Sequence, residues 1–384
     1  MNFFIFTSSR SEYGLLKPLI KQMNNFNYAP KLIVCGSHLT KDYGYTIQEI
    51  KNDGIVIIKK IKNIVKGDDP YSILKMSELI MNDMNKLFKK KRPDYLVLLG
   101  DRFESLSAAF AAFIFRVPII HLYGGEKTEG SLDDSIRHSI TKLSNIHFCS
   151  TKTYMNRVLQ LGENAEYVYN TGSLAVENIK SLKILSIHEL ETLLNISFTK
   201  KTFIVTYHPE TNDTKKTEKT ILEILKVVEE LDECNFIFTY PNLDTSNKII
   251  IKRLNEFKSL GYKNFWLFKN LGTDLFLNIV LKSNAMIGNS SSGFFEAPLL
   301  KTPTINIGDR QKGRIMMDSI INCNENYKSI IQSIKKCTSK KFLEKINNMS
   351  SPYGKGNSSK KILEKIKKIR IKNILKKKFF DLKF

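Results

Sequence analysis

Short apolar runs alternate along this chain with longer segments whose apolar residues recur at helical spacing. The first series predicts strands at 2–7, 31–35, 95–99, 118–123 and 147–150. Between and after them, helices are predicted at 13–23, 72–90, 105–115, 137–143 and 153–161. A polar stretch, 177–201, holds one helix-like piece and marks a boundary. The pattern then restarts with strands at 202–207, 235–240, 264–268, 285–287 and 303–307. Its helices are predicted at 217–231, within 248–261, and at 272–282 and 294–300. Repeated β-α units build a mostly parallel sheet covered on both faces. The expected fold class is therefore α/β, with two Rossmann-like domains facing a central cleft. The expected boundaries are 1–180, 200–350 and a basic helix and tail at 351–384. In that last part Ile362, Ile366 and Ile369 have helical spacing after a turn near 350–356.

With 384 residues the chain has room for two domains with large cores. Five cysteines are scattered, with no CxxC pair, which argues against a disulfide scaffold or a zinc knuckle. The opening run MNFFIFTSSR lacks a basic leader and reads as a strand, so a cytoplasmic location is expected. The formal charge of +22 is the unusual feature. It points to nucleic acid, an acidic membrane or phosphorylated small molecules. No finger, RNP-like stretch or helix-turn-helix signature supports the first, and no nucleic-acid partner is expected. From Lys355 onward twelve Lys/Arg face two acids, so much of the excess sits at the C-terminus. Lys376-Lys377-Lys378-Phe379-Phe380 reads as a solvated tail, with contact to a membrane or an acidic partner as the alternative.

Candidate chemistry falls in the loops after predicted strands, where open α/β sheets bind ligands. Arg10, after the first strand, is either a phosphate fork or part of a solvated turn. Asp101 is either a catalytic carboxylate or an N-cap. From His121 to His138 lie four carboxylates, two histidines and a glycine pair, a density read as an active-site loop. His138 is also readable as a cap or charge partner beside Arg137. The spacings match no closed ligand set, so no metal is expected there. His208 is read as a phosphate contact or as a structural histidine. Ser290, Ser291, Ser292 and Gly293 lie between a strand and a helix, which leaves backbone N–H groups open for phosphate. Glu296 would reach a sugar diol from the following helix. Arg310, Lys312 and Arg314 add positive charge nearby.

Taken together the motifs resemble the hydrolysing UDP-N-acetylglucosamine 2-epimerases. The resemblance rests on Ser9-Arg10-Ser11-Glu12-Tyr13-Gly14, Gly100-Asp101-Arg102, Gly124-Gly125-Glu126 and Asp133 with Arg137-His138-Ser139-Ile140-Thr141-Lys142. It continues through Asn170-Thr171-Gly172-Ser173, His208-Pro209-Glu210-Thr211, Gly288-Asn289-Ser290-Ser291-Ser292-Gly293 and Asn306-Ile307-Gly308-Asp309-Arg310-Gln311. The nearest likeness is to the branch that supplies N-acetylmannosamine for the sialic acid of capsules or lipopolysaccharide.

The resemblance implies a GT-B type fold, a homodimer, a UDP-sugar substrate, and no cofactor or metal. It implies conversion of UDP-N-acetylglucosamine and water to N-acetylmannosamine and UDP through 2-acetamidoglucal. Asp101, Glu126 and Asp133 become the catalytic candidates, with Asp134 competing for the role of Asp133. Arg10, Tyr123, His208, Ser290, Ser291, Ser292, Gly293, Glu296, Arg310 and Arg314 become the substrate and nucleotide candidates. One position departs from the pattern. Many members read His-x-Glu-Gly-Gly-Glu, and here Tyr123 replaces the first Glu. Glu126 or the Tyr123 phenol is then expected to take its place. Two alternatives remain at this stage: a 2-epimerase of a nucleotide-linked 2,4-diacetamido-2,4,6-trideoxyglucose, and a GT-B glycosyltransferase.

Overall fold

The computed structural model describes every residue except 42–43, 68, 130, 211–213, 243–245 and 382–384. Thr211 of the His208-Pro209-Glu210-Thr211 motif thus lies outside the described residues. The chain divides into two compact units. Unit 1 comprises Met1–Glu126, Leu132–Lys180 and Pro352–Phe384; unit 2 comprises Lys127–Ser131 and Ser181–Ser351.

Unit 1 is built on strands β1 (Phe3–Thr7), β2 (Lys31–Val34), β3 (Ile57–Lys60), β4 (Tyr95–Leu99), β5 (Ile119–Leu122), β6 (Ile146–Cys149) and β7 (Val168–Asn170). They form one sheet in the order β3-β2-β1-β4-β5-β6-β7, and the described pairings are parallel. β1 and β4 are buried along their whole length, which is why they read as unbroken apolar runs. One face packs Leu16, Leu19 and Met23 of the Arg10–Asn25 helix with Ile362, Leu363 and Ile366 of the Ser358–Ile366 helix. The other face packs Ile80, Met84 and Phe88 with Ala108, Ala109 and Ala112.

Unit 2 repeats the scheme with β8 (Thr202–Thr206), β9 (Asn235–Thr239), β10 (Phe265–Phe268), β11 (Ala285–Gly288), β12 (Thr304–Ile307) and β13 (Ile320–Cys323). The order is β10-β9-β8-β11-β12-β13, again parallel. Two parallel-sheet α/β domains are the expected fold class. The chain order reverses between β1 and β4 in one sheet and between β8 and β11 in the other. Such switch points open a crevice at the carboxyl ends of the strands.

The helix expected at 294–300 is shorter than its pattern predicts. A 3₁₀ turn, Ser291–Gly293, comes first, and the helix is only Glu296–Leu299. Pro298 has no N–H to donate and sits in the first turn of this helix, where none is needed. Lys301 then ends it in the left-handed region at φ 61°.

The Arg10–Asn25 helix begins with a capping box. Ser9 Oγ accepts from Glu12 N–H, and Glu12 Oε2 accepts from the N–H groups of Ser8 and Ser9 at 2.6 and 3.2 Å. Glu12 is buried, and that burial, opposed by Arg102 and the Ser8 bonds, lifts its carboxyl to about 7. A carboxyl raised in the folded state stabilises fully below its unfolded value and loses that contribution as pH rises through the folded value. Wild type should therefore lose about 2–3 kcal/mol between pH 5 and pH 8 relative to Glu12→Gln, which keeps an acceptor but does not titrate. Urea unfolding of both proteins at the two pH values reads this double difference. A difference that does not change with pH contradicts the assignment.

Candidate functional site

In unit 1 the predicted site residues gather at the carboxyl ends of β1, β4 and β5, at the switch point. Arg10 is the first residue of the helix after β1. Asp101 follows Gly100 at the end of β4, and its carboxylate is not the helix cap. The N-cap of the Phe103–Ile114 helix is Arg102, with no capping side chain. Asp101 instead accepts from Arg137 Nε at 3.1 Å and from Arg137 Nη2.

Arg137 is the centre of this group. It has no exposed surface. Its Nη1 donates to the Glu126 carbonyl at 3.0 Å and to Asp134 Oδ1 at 3.2 Å. The arrangement depends on a helix longer than the pattern predicted. It runs Asp133–Leu143 and begins four residues before the expected start. Asp133 and Asp134 therefore lie one turn from Arg137 on the same helix. His138 Nε2 is 3.5 Å from Asp134 Oδ2, and burial lowers the histidine below its ordinary value. The acidic first turn of the helix also complements its dipole.

Glu126 is buried, with Ser150 Oγ 3.5 Å from its Oε1. The turn that carries it is tightly determined. Tyr123 has φ 67°, a left-handed value rare for an aromatic residue. A Cβ on Gly125, at φ 82°, would lie 2.2 Å from the Tyr154 carbonyl oxygen, so only glycine fits. Tyr123 is buried; its hydroxyl meets Ser173 Oγ at 2.8 Å and accepts from Leu174 N–H at 2.8 Å. It thereby holds the start of the Leu174–Ser181 helix.

His121 serves the loop beside Asp101. Its Nε2 lies 2.8 Å from the Gly100 carbonyl and its Nδ1 3.1 Å from Thr141 Oγ1. Burial lowers it to about 3, so the neutral ring donates from Nε2 and accepts at Nδ1.

In unit 2 the candidates gather after β8, β11 and β12. Asn289, fully buried, ties the three loops together. Its Oδ1 accepts from His208 N–H at 2.7 Å and its Nδ2 donates to the His208 carbonyl at 2.9 Å. Its own carbonyl accepts from Gln311 Nε2 at 2.8 Å and Arg310 Nη1 at 3.4 Å. His208 Nδ1 accepts from Asn242 N–H at 3.2 Å, which puts the ring proton on Nε2 as a donor. Ser290 caps the Ser291–Gly293 turn, accepting from Ser292 N–H. Gly293 is required by packing: a Cβ there would lie 2.7 Å from Thr304 Cγ2. Glu296 starts the short helix that follows. Arg314 lies over the Phe295 ring, 5.0 Å from its centre.

A cavity of about 510 Å³ opens in this unit. Phe294, Lys312, Arg314, Lys216 and Glu325 are among its lining residues. Lys216 sits 2.9 Å from both Glu210 and Glu325, and Glu210 Oε1 also accepts from Asp309 N–H. The pair thus fixes the Gly308–Asp309 turn beside Arg310. Among the described residues no group of His, Cys, Asp and Glu is arranged to hold a metal ion.

Fixed cations and amides in unit 2, and carboxylates around a buried guanidinium in unit 1, suit a diphosphate-linked sugar. The model of the UDP-N-acetylglucosamine 2-epimerase family matches residues 20–367. The chain belongs to this family. It is therefore an enzyme of the 2-epimerase type. It is 39% identical over 380 residues to the GDP/UDP-N,N'-diacetylbacillosamine 2-epimerase (hydrolyzing) of Campylobacter jejuni, covering 98% of each chain. It is 37% identical over 379 residues to polysialic acid biosynthesis protein P7 of Escherichia coli, covering 98% of this chain and 96% of that one. Among solved structures, UDP-GlcNAc 2-epimerase from Neisseria meningitidis bound to UDP-GlcNAc aligns with a TM-score of 0.81 at 21% identity. That alignment covers 96% of this chain and all of the other. Among the described residues no helix is long and apolar enough to cross a membrane.

Two residues that organise the site, Arg137 and Asn289, were not among the candidates drawn from sequence. Both sat inside quoted motifs, but each acts by holding other groups. For the 2-epimerase, Asn289→Ala should leave backbone groups of His208 buried and unpaired. A loss of about 1–3 kcal/mol in stability is expected, with UDP affinity at least about tenfold weaker. Thermal unfolding and calorimetric titration with UDP check both. Unchanged UDP affinity would rule out the organising role.

Proposed function

We propose that the enzyme is a hydrolysing 2-epimerase that converts UDP-N-acetylglucosamine and water to N-acetylmannosamine and UDP. Unit 2 holds the nucleotide and unit 1 works on the sugar. The observation that carries this reading is the buried Arg137 bound to Asp101, Asp134 and the Glu126 backbone carbonyl, with Asp133 in the first turn of the arginine's own helix, in a chain of this family.

The C2 proton of the sugar is barely acidic, so the C1–O bond must break early. Its electron pair leaves with the diphosphate, and C1 becomes oxocarbenium-like. Carboxylates stabilise that charge and one of them takes the C2 proton. The product of this first step is 2-acetamidoglucal with UDP. Water then adds its hydroxyl to C1 and a proton returns to C2 on the other face. Arg10, His208 through Nε2–H, Ser291, Ser292 and Arg310 stabilise the leaving diphosphate. Glu296 takes the ribose hydroxyls. Tyr123 is assigned a positioning role, because its hydroxyl is engaged by Ser173 and the Leu174 amide. Glu126 then supplies the carboxylate that other members place at that position.

A second reading has a specific observation behind it. The 39% identical relative is named for N,N'-diacetylbacillosamine. That sugar differs at C4 and C6, away from the bonds that break, so the same carboxylates serve either substrate. In both readings the product is a free 2-epimerised sugar; supply of sialic acid is the use that fits the leading one, and the Escherichia coli relative is named for polysialic acid biosynthesis.

Offering both nucleotide sugars in deuterated water decides between them by product NMR. The leading reading predicts UDP and free N-acetylmannosamine carrying deuterium at C2. Reaction of the diacetamido sugar alone establishes the second reading. UDP release that needs an added acceptor and leaves C2 unlabelled indicates a glycosyltransferase and defeats both. Asp101→Asn should lower kcat at least about 10²-fold while UDP affinity stays within about twofold. Undiminished turnover would remove Asp101 from the chemistry.

A further inference from the structure

The basic end of the chain is largely exposed, yet hydrogen bonds and an ion pair tie it to the rest of unit 1. Lys377 Nζ lies 2.6 Å from the carbonyl of Lys142, 2.7 Å from that of Ser144 and 3.3 Å from that of Thr141. These are the last carbonyls of the Asp133–Leu143 helix and its C-cap. The same ammonium is 2.6 Å from Glu163 Oε2. Glu163 is almost fully buried and also meets His147 Nε2 at 3.0 Å and Lys142 Nζ at 2.7 Å. An ammonium has three donors, and here all of them have acceptors.

The neighbours of Lys377 secure the same segment. Asn145 Nδ2 donates to the Ile374 carbonyl at 2.8 Å, while Asn145 Oδ1 accepts from Ile119 N–H, at the start of β5. Phe380 N–H donates to the Gly162 carbonyl at 3.0 Å. The Phe379 ring lies against Gly162, where a Cβ would come within 2.4 Å of it, and Lys142 Nζ lies 5.0 Å from the ring centre.

The helix that Lys377 caps is the one that presents Asp133, Asp134 and Arg137. Thr141 connects the two ends of this path. Its carbonyl faces Lys377, and its hydroxyl meets His121 Nδ1. His121 in turn holds the Gly100 carbonyl, next to Asp101. The helix lacks glycine after its last turn, so a side-chain cation supplies the cap instead.

We propose that Lys377 is a positioning residue for the reaction, capping the helix that bears Arg137 and thereby fixing Arg137 against Asp101. This rests on the function proposed above for that site. Small displacements of positioned groups cost rate more than binding. Lys377→Met should lower kcat about tenfold with KM within about twofold, and should speed amide hydrogen exchange across residues 140–144. Lys377→Arg, which restores a cation, should restore both. The test uses the full chain, with steady-state turnover of UDP-N-acetylglucosamine and exchange measured on each protein. Unchanged kcat, a rise in KM alone, or unchanged exchange in Lys377→Met overturns the proposal. Should Lys377→Met fail to fold, Phe379→Ala, which releases the tail from Gly162, carries the same expected and overturning results. If wild type leaves the nucleotide sugar intact, the proposed reaction fails while the exchange comparison still decides the capping role.

Discussion

Arg137 places a guanidinium where no solvent reaches it. An isolated charge in that position would cost several kcal/mol, so the fold must bring oxygen acceptors to it. It brings them from three separate stretches of chain: Asp101 after β4, the Glu126 carbonyl after β5, and Asp134 on the arginine's own helix. Satisfying one buried cation therefore sets the mutual positions of Asp101, Asp134 and the backbone that carries Glu126. The polarity works in both directions. The arginine donates to Asp101 and Asp134, and those oxygens offset the cost of burying the arginine inside the domain.

A parallel constraint acts in unit 2, through a neutral group. Asn289 spans both polar backbone atoms of His208 with its side-chain amide, and its carbonyl receives Gln311 and Arg310. The loops after β8, β11 and β12 are thus joined by one residue. The cations that would meet a diphosphate are held by groups that never need touch it. In each unit a buried polar residue at the switch point converts sheet topology into site geometry.

The sequence reading was strongest where burial is uniform. The central strands β1, β4, β8 and β9 are buried along their whole length and stand out as apolar runs. Strands β3, β7 and β13 went unread. Each lies at the edge of its sheet, pairs on one side, is only three or four residues long and contains an exposed lysine or asparagine. The start of the Asp133–Leu143 helix was placed late because Leu132-Asp133-Asp134 looks like loop, although acids in a first turn are what a helix dipole favours. That shift hid the one-turn relation of Asp134 to Arg137. The site motifs themselves were legible because they combine rare residue types. The holding residues were not, since a buried arginine or asparagine is defined by partners distant in sequence. The docking of Lys377 was illegible for the same reason, more than 230 residues separating it from Thr141 and Ser144.

If Arg137 acts on the chemistry by orienting Asp101, the two residues must fail together. A double-mutant cycle on kcat/KM for UDP-N-acetylglucosamine, with Asp101→Asn, Arg137→Lys and the combined protein, measures this most directly. The account predicts strong non-additivity, with the double variant about as slow as Asp101→Asn alone. Losses that multiply, each variant lowering the rate by the same factor in the presence or absence of the other, would contradict it.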